Sequence, residues 1–487
     1  MIKTQKRLRG AAKTLAFFPL ACAQAQAETA TPETHYPVGL NGDGAVVGGY
    51  NTSRWGEDWS AMRDAGSRKS PIDRLKFLPL DSAGDIYATL SGEVRVRVNE
   101  TTNPNLVNAE GMRQDFLRLV GGADLHLGKH FRVYGELLHG GLSGINLGNV
   151  LGTQRNGLVV LQSFAEATDR VQDVDLGVRY GRQEFTDGPN LITSQRDNNN
   201  IHITFNGFRG WARGATHRVD VFDFRPTALG TNGTGDDYSD STKRFSGVSA
   251  GFIVPPALFG GSKLTFDPFY WRHRDTTNAW GTRVGLAKRY YVGAHLYGDI
   301  GRVAIDWSVD HQGGKFIDQQ IDAWHALFSQ NYRLGQNATA PRIGFHADYA
   351  SGGGSNGTGK LRDAYTPFGN NIYYSYQLYE TPTNLITLAP TFTFAPVKPV
   401  RVALEYQWAW RADVNDLIYR ANGTNFPGTQ NFHARKQAEV ARAQAVWTVS
   451  RRLSVTGRYE HLQAGPALTL AGYHNSDFLS GWISYRF

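Results

Sequence analysis

Glu93, Arg95 and Arg97 alternate with Val94, Val96 and Val98, a spacing of two that lays a carboxylate and two guanidiniums on one face of an extended strand and valines on the other. A guanidinium is a planar fork that pairs with a carboxylate or phosphate through two hydrogen bonds. The same parity groups Arg118 and Asp124 against Leu117, Leu119 and Leu125. It adds Arg179, Arg342 with Asp348, Arg411, Arg442 and Arg458. Two chemistries fit such a stripe. It is an electropositive path that hands an anionic chain from one guanidinium to the next, with interspersed acids loosening each site. Or its cations and acids pair across strands and hold a wide polar interior together. The spacing leaves these two balanced.

Catalytic constellations are absent. There is no G-x-S-x-G, no H-E-x-x-H and no phosphate loop, and His126, His139, His295 and His346 lack ligand spacing, so neither a cofactor nor a metal is expected. The run Gly352-Gly353-Gly354-Ser355-Asn356-Gly357 matches G-x-G-x-x-G but precedes no helix, and fails as a dinucleotide site. Asp236, Asp237 and Asp240 lack the EF-hand spacing and belong to a solvated loop. A Ser/His pair assembled from distant strands would make a barrel hydrolase, the minor alternative to a protein without chemistry of its own.

The stripe needs strands to carry it. From Ile86 onward the hydrophobic period is two, and eighteen segments follow it: 86–99, 113–127, 131–142, 157–170, 173–184, 200–212, 217–227, 244–256, 262–275, 288–299, 302–314, 319–334, 341–352, 383–395, 400–412, 433–449, 452–462 and 476–487. Sixteen is the other even count, because 157–170 and 244–256 alternate poorly and the connection near Lys315 breaks the pattern. Connections after even strands are mostly short and those after odd strands mostly long, the outer-membrane arrangement. In 400–412, Val402, Leu404, Tyr406, Trp408 and Trp410 share the face opposite Glu405, Gln407 and Arg411. An arginine facing mid-membrane lipid costs roughly 2–4 kcal/mol, so the charged face must be the interior of an all-β, antiparallel transmembrane barrel. Tyr373, Tyr374, Tyr376 and Tyr379, in the loop after Gly352, are expected in the outer aromatic girdle rather than in an inward lid.

The flanks agree. Lys3, Lys6, Arg7, Arg9 and Lys13 precede an apolar run from Leu15 to Ala23 and an A-x-A site ending at Ala27, so 1–27 read as a secretory signal peptide. Cleavage there removes the only cysteine, Cys22, along with five cations and no acid, which lowers the net charge from +8 to near +3 and withdraws support for nucleic-acid binding. Residues 28–85 show no alternation and read as a periplasmic lead-in, or a segment tucked into the mouth of a barrel spanning 86–487. The last strand, Asp477 to Phe487, closes on Phe487 and resembles the outer-membrane barrel insertion signal.

Leu90-Ser91-Gly92-Glu93-Val94-Arg95, Gly181-Arg182-Gln183-Glu184, Arg225-Pro226, Asp348-Tyr349-Ala350-Ser351-Gly352, Asn384-Leu385-Ile386 and Trp410-Arg411 together resemble the alginate-export family of outer-membrane proteins. The resemblance implies an eighteen-stranded porin of the outer membrane, with an arginine-rich constriction that passes a polyuronate and a periplasmic scaffold that feeds it. It leaves open another acidic polysaccharide, a small organic acid or a general porin. It also implies that Arg182 lines the pore, whereas parity puts Arg179 inside and Arg182 on the opposite face; a bulge near Gly181 would reconcile the two. Lipids of the outer membrane are the remaining expected partner.

Overall fold

The computed structural model describes residues 50–146 and 148–487, so the signal peptide expected over 1–27 and the start of the lead-in lie outside the described residues. Eighteen long strands follow in order. They are β1 (Ile86–Thr101), β2 (Met112–Leu127), β3 (Phe131–Ile145), β4 (Asn156–Val171), β5 (Val174–Gln183), β6 (Phe205–Arg213), β7 (His217–Ala228), β8 (Lys243–Ile253) and β9 (Lys263–Trp280). The second half comprises β10 (Arg283–Ile300), β11 (Val303–Phe316), β12 (Gln319–Arg333), β13 (Arg342–Ala350), β14 (Leu385–Val397), β15 (Val400–Trp410), β16 (Lys436–Thr448), β17 (Leu453–Ala464) and β18 (Ser476–Arg486). Each pairs antiparallel with its successor, and β18 returns to β1 with Arg486 opposite Glu93, which closes the sheet. The count is eighteen, not sixteen.

Closure leaves no sheet edge, and the pleat decides what each face meets. On β1, Val94 and Val96 are 41% and 53% exposed on the outside while Glu93 and Arg95 are 1% and 5% exposed within. At the seam the ring of Phe487 lies over Gly92, where an added Cβ would sit 2.5 Å from the ring, and the two residues exchange backbone hydrogen bonds of 2.8 and 3.0 Å. Only glycine fits there.

The weak alternation of 157–170 has a physical cause. Gln162 faces Glu136 but Val160 faces Leu137, so Leu161 is the extra residue of a bulge and the parity flips across it. The irregularity near Lys315 is a two-residue hairpin at 317–318, matched by another at 281–282: β9 to β12 extend outward in place of long loops. The strand expected over 200–212 begins at Phe205, because residues 184–204 turn into the lumen.

The lead-in lies against the end of the barrel that carries the short turns. Four 3₁₀ turns run from Arg54 to Lys76. Arg54 ion-pairs with Glu93 at 3.0 Å and Glu136 at 2.9 Å, and Asp73 pairs with Arg451 at 3.2 Å and Arg452 at 2.5 Å in the β16–β17 turn. Lys76 is fully buried beside Tyr50 and Trp59.

Candidate functional site: the luminal constriction

Two of the long connections fold inward, 184–204 after β5 and 351–384 after β13. Aromatic packing pulls them in, with Phe185 and Phe368 joining Phe205, Phe222, Phe245 and Trp271 in one buried cluster. They are stitched together: Ser194 and Asn370 donate from their backbones to Phe368 and Asn190, each at 2.9 Å, and Arg196 donates to the carbonyls of Gly369 and Pro367 at 2.8 and 3.0 Å. Asn200 fixes the tip of the first loop to the wall by donating to the carbonyls of Leu117, Gly141 and Gln154.

The tip presents Asp197 to the arginine stripe. Arg118 on β2 donates to it at 2.7 Å and Arg95 on β1 at 3.2 Å, while His202 lies 2.9 Å away. Burial pushes the Asp197 carboxyl up, but Arg95 and Arg118 outweigh it and hold the group well below the usual carboxylate range. Glu93 collects the neighbouring charges, with Arg54 and Arg95 at 3.0 and 2.8 Å and Arg118 and Arg486 at 3.7 and 3.9 Å.

The stripe therefore divides in two. Arg179 pairs with Glu166 and stacks on Trp55, its guanidinium carbon 3.8 Å from the ring centroid. Asp124 is paired by Arg132 at 2.6 Å, Asp348 lies 2.7 Å from His346, and Arg442 pairs with Glu405. These are wall ties, cross-strand for Arg179, Arg132 and Arg442, and within β13 for His346 and Asp348, whose carboxylate also accepts from Thr387 on β14. Arg97, Arg342 and Arg458 have no carboxylate within salt-bridge distance among the described residues. Arg97 donates to the Asn198 carbonyl at 2.5 Å and covers the Phe116 ring at 4.4 Å; Arg458 donates to Gln444 at 2.5 Å.

Two cavities lie on either side of this point and share Arg458 and Trp482 in their linings. One, of about 290 Å³, reaches toward the long loops and has Arg97, Arg196 and Arg458 as its charged residues, among Asn99, Asn198 and other amides. The other, of about 570 Å³, opens toward the short turns and is lined by Arg342, Lys398, Arg401, Arg451, Arg452 and Arg486, with Asp197 its single acid. The stripe did not disclose the turn cations, Arg54 or Asp197. A signal existed for the loop, since 184–204 breaks alternation and carries Asp197-Asn198-Asn199-Asn200.

Two expected lumen residues lie elsewhere. Parity points Arg411 inward only while the strand lasts; β15 ends at Trp410, and the fully buried Arg411 donates to the carbonyls of Asp416, Thr429, Phe432 and Ala434 within the loop 411–435. Arg182 shares the outer face with Tyr180, which is 71% exposed, and donates to Asn206 at 3.0 Å and the Val160 carbonyl at 2.8 Å. The β4–β5 register runs unbroken past Gly181, so no bulge turns Arg182 inward. The four tyrosines are not a girdle. Tyr374 and Tyr379 are buried, and Tyr376 faces Arg442 and Arg458 in the lumen. The acids of 231–241 accept hydrogen bonds from their own loop and its flanks, Asp236 from Asn232, Asp237 from Gly230 and Asp240 from Thr242.

A closed antiparallel barrel with an apolar exterior, a charged lumen and inward loops that narrow it is a porin-type channel of the outer membrane. The alginate-export family model matches residues 86–481, and the chain belongs to that family. No curated protein sequence matches it. Solved structures resemble it in fold at low identity. Acinetobacter baumannii OccAB1 is 10% identical, with a TM-score of 0.55 over 82% of this chain and 96% of its own. Pseudomonas aeruginosa OccK2 (OpdF), solved in complex with glucuronate, is 12% identical, with a TM-score of 0.52 over 85% and 98%. A BenF-like porin from Pseudomonas fluorescens Pf-5 is 11% identical, with a TM-score of 0.54 over 82% and 98%.

Proposed function

We propose that the channel passes an anionic polysaccharide of the polyuronate class, with Arg97 and Arg458 as the contacts at its waist. The observation that carries this is the pair of waist arginines with no carboxylate beside them among the described residues, set between two cavities whose linings are almost free of acids. A cation already neutralised by the wall offers little to a passing carboxylate, whereas one held by a ring face and a neutral amide keeps its charge for the solute. Asp197 next to Arg95 and Arg118 keeps the positive field local, so that binding stays weak enough for release. OccK2 holds glucuronate, a sugar acid of the same chemical class as a polyuronate repeat.

The test is single-channel conductance of the refolded barrel with polymannuronate titrated in. Micromolar block that weakens in Arg97→Gln and Arg458→Gln is the expected result. Anion-selective current without block would assign the channel to small organic acids, the second reading that the glucuronate-bound neighbour favours. Cation selectivity at neutral pH would overturn both.

A further inference from the structure

The outer face of the barrel carries a row of cations that the lumen does not use. Arg244 on β8 stands directly opposite Arg274 on β9, Arg274 opposite Lys288 on β10, and Lys288 opposite Lys315 on β11. All four side chains are exposed. Arg225 on β7 follows Phe224, the partner of Phe245, and so continues the row, while Arg272 lies two residues below Arg274 on the same face. Asp223 pairs with Arg244 at the near end of the row, and none of the others has a carboxylate within salt-bridge distance among the described residues.

Like charges directly opposite each other destabilise a sheet, and with only Arg244 answered from within it, Arg274, Lys288 and Lys315 call for a counter-charge from outside. The position of the row states which. Toward the short turns, the same outward face is apolar, with Val221, Val248, Phe252, Phe266, Tyr270, Val292 and Val309 exposed. From Phe266 to Arg274 the strand climbs roughly 27 Å along its own axis, about 20 Å once tilted, which is most of the ~25 Å apolar band of such barrels. The row therefore stands at the upper edge of the lipid-facing band, on the side of the long loops, where the outer leaflet carries its headgroups.

We infer that this row is a binding site for the phosphorylated glycolipid of the outer leaflet, the β8–β11 cations engaging the phosphates of a lipid A-type headgroup while its acyl chains cover the apolar face beneath. Arginine forks and lysine ammoniums both suit phosphate, and several cations in one plane match a headgroup bearing two phosphates better than a single-phosphate lipid.

The experiment is native mass spectrometry of the full barrel in detergent, offered diphosphoryl lipid A, phosphatidylglycerol or inorganic phosphate. Wild type is expected to retain lipid A at near one per barrel and to release the other two. The triple variant Arg274→Gln/Lys288→Gln/Lys315→Gln should retain at least tenfold less, with heat-modifiable mobility unchanged, and Lys288→Arg/Lys315→Arg should keep the lipid. Equal retention by wild type and triple variant, or retention of phosphatidylglycerol as strong as that of lipid A in wild type alone, overturns the assignment. Conductance and polyuronate block are expected to be unchanged in the triple variant, so this site fails or stands apart from the waist.

Discussion

The Arg458 guanidinium carbon lies 4.9 Å from the centroid of the Trp482 ring, and the Tyr376 ring, 4.7 Å away, gives it a second aromatic contact. Rings orient a guanidinium without cancelling its charge. Arg458→Gln is therefore expected to lower the anion-to-cation permeability ratio, read from reversal potentials across a salt gradient. Trp482→Leu keeps the charge but frees its carrier. Ordering a loose side chain costs about 0.5–1.5 kcal/mol, so polyuronate block should weaken roughly two- to tenfold with little change in salt selectivity.

Arg54 joins the lead-in to two wall acids, Glu93 and Glu136, and all three side chains are almost fully buried. Glu93 keeps Arg95, Arg118 and Arg486, but Arg54→Ala strands the Glu136 carboxylate, and breaking a buried pair from one side costs about 3–5 kcal/mol. Denaturant unfolding in detergent should show a loss of that order, and Arg54→Ala/Glu136→Gln should recover part of it.

Arg411 makes a different prediction from that for a pore arginine. Its donors are spent on the backbone of 411–435, so Arg411→Lys leaves buried carbonyls without partners at about 1–3 kcal/mol. Protease cleavage within 411–435 should rise while anion selectivity stays as in the wild type.

Glu380 gives the inward loop a pH dependence. Burial pushes its carboxyl up to about 8, with the neighbouring Glu460 adding to the shift and Arg442 opposing it, and both Gln407 and Gln437 reach it from the wall. The folded form holds this proton more tightly than the unfolded form, whose value is 4.5. Stability linked to Glu380 is thus fully present below pH 4.5 and is lost as the pH rises toward 8, by an amount on the order of a few kcal/mol. Protection factors of the amides in 371–384, corrected for the base-catalysed intrinsic rate, should fall across that window in the wild type and stay level in Glu380→Gln.

The strands were legible because a lipid-facing wall enforces a period of two, and Val94, Val96 and Leu404 announce it without help from any neighbour. Parity served equally well for Arg95, Arg118 and Arg458. It failed for Arg411 because parity has meaning only while the strand lasts, and for the tyrosines of 351–384 because the direction of a loop is set by Phe368 packing on residues far along the chain. The family-like motifs pointed to the right family, but the structure gives two of them a fastening role. Asn384 donates to the carbonyls of Asp413 and Leu417, and Arg411 to that of Asp416, so these motifs fasten two outer loops rather than line the pore.

Glu93 draws its partners from both ends of the chain. Arg54 comes from the lead-in, Arg95 and Arg118 from the first two strands, and the Ser484 hydroxyl, 2.8 Å away, from a strand 391 residues later. A half-built sheet would leave this carboxylate facing several unanswered cations beside an open edge. The free energy of the first strand is therefore collected only when the last arrives, through a contact that spans 391 residues, so assembly is cooperative across the whole ring and slow to begin. A truncated array of these strands is not a smaller barrel but an incomplete one.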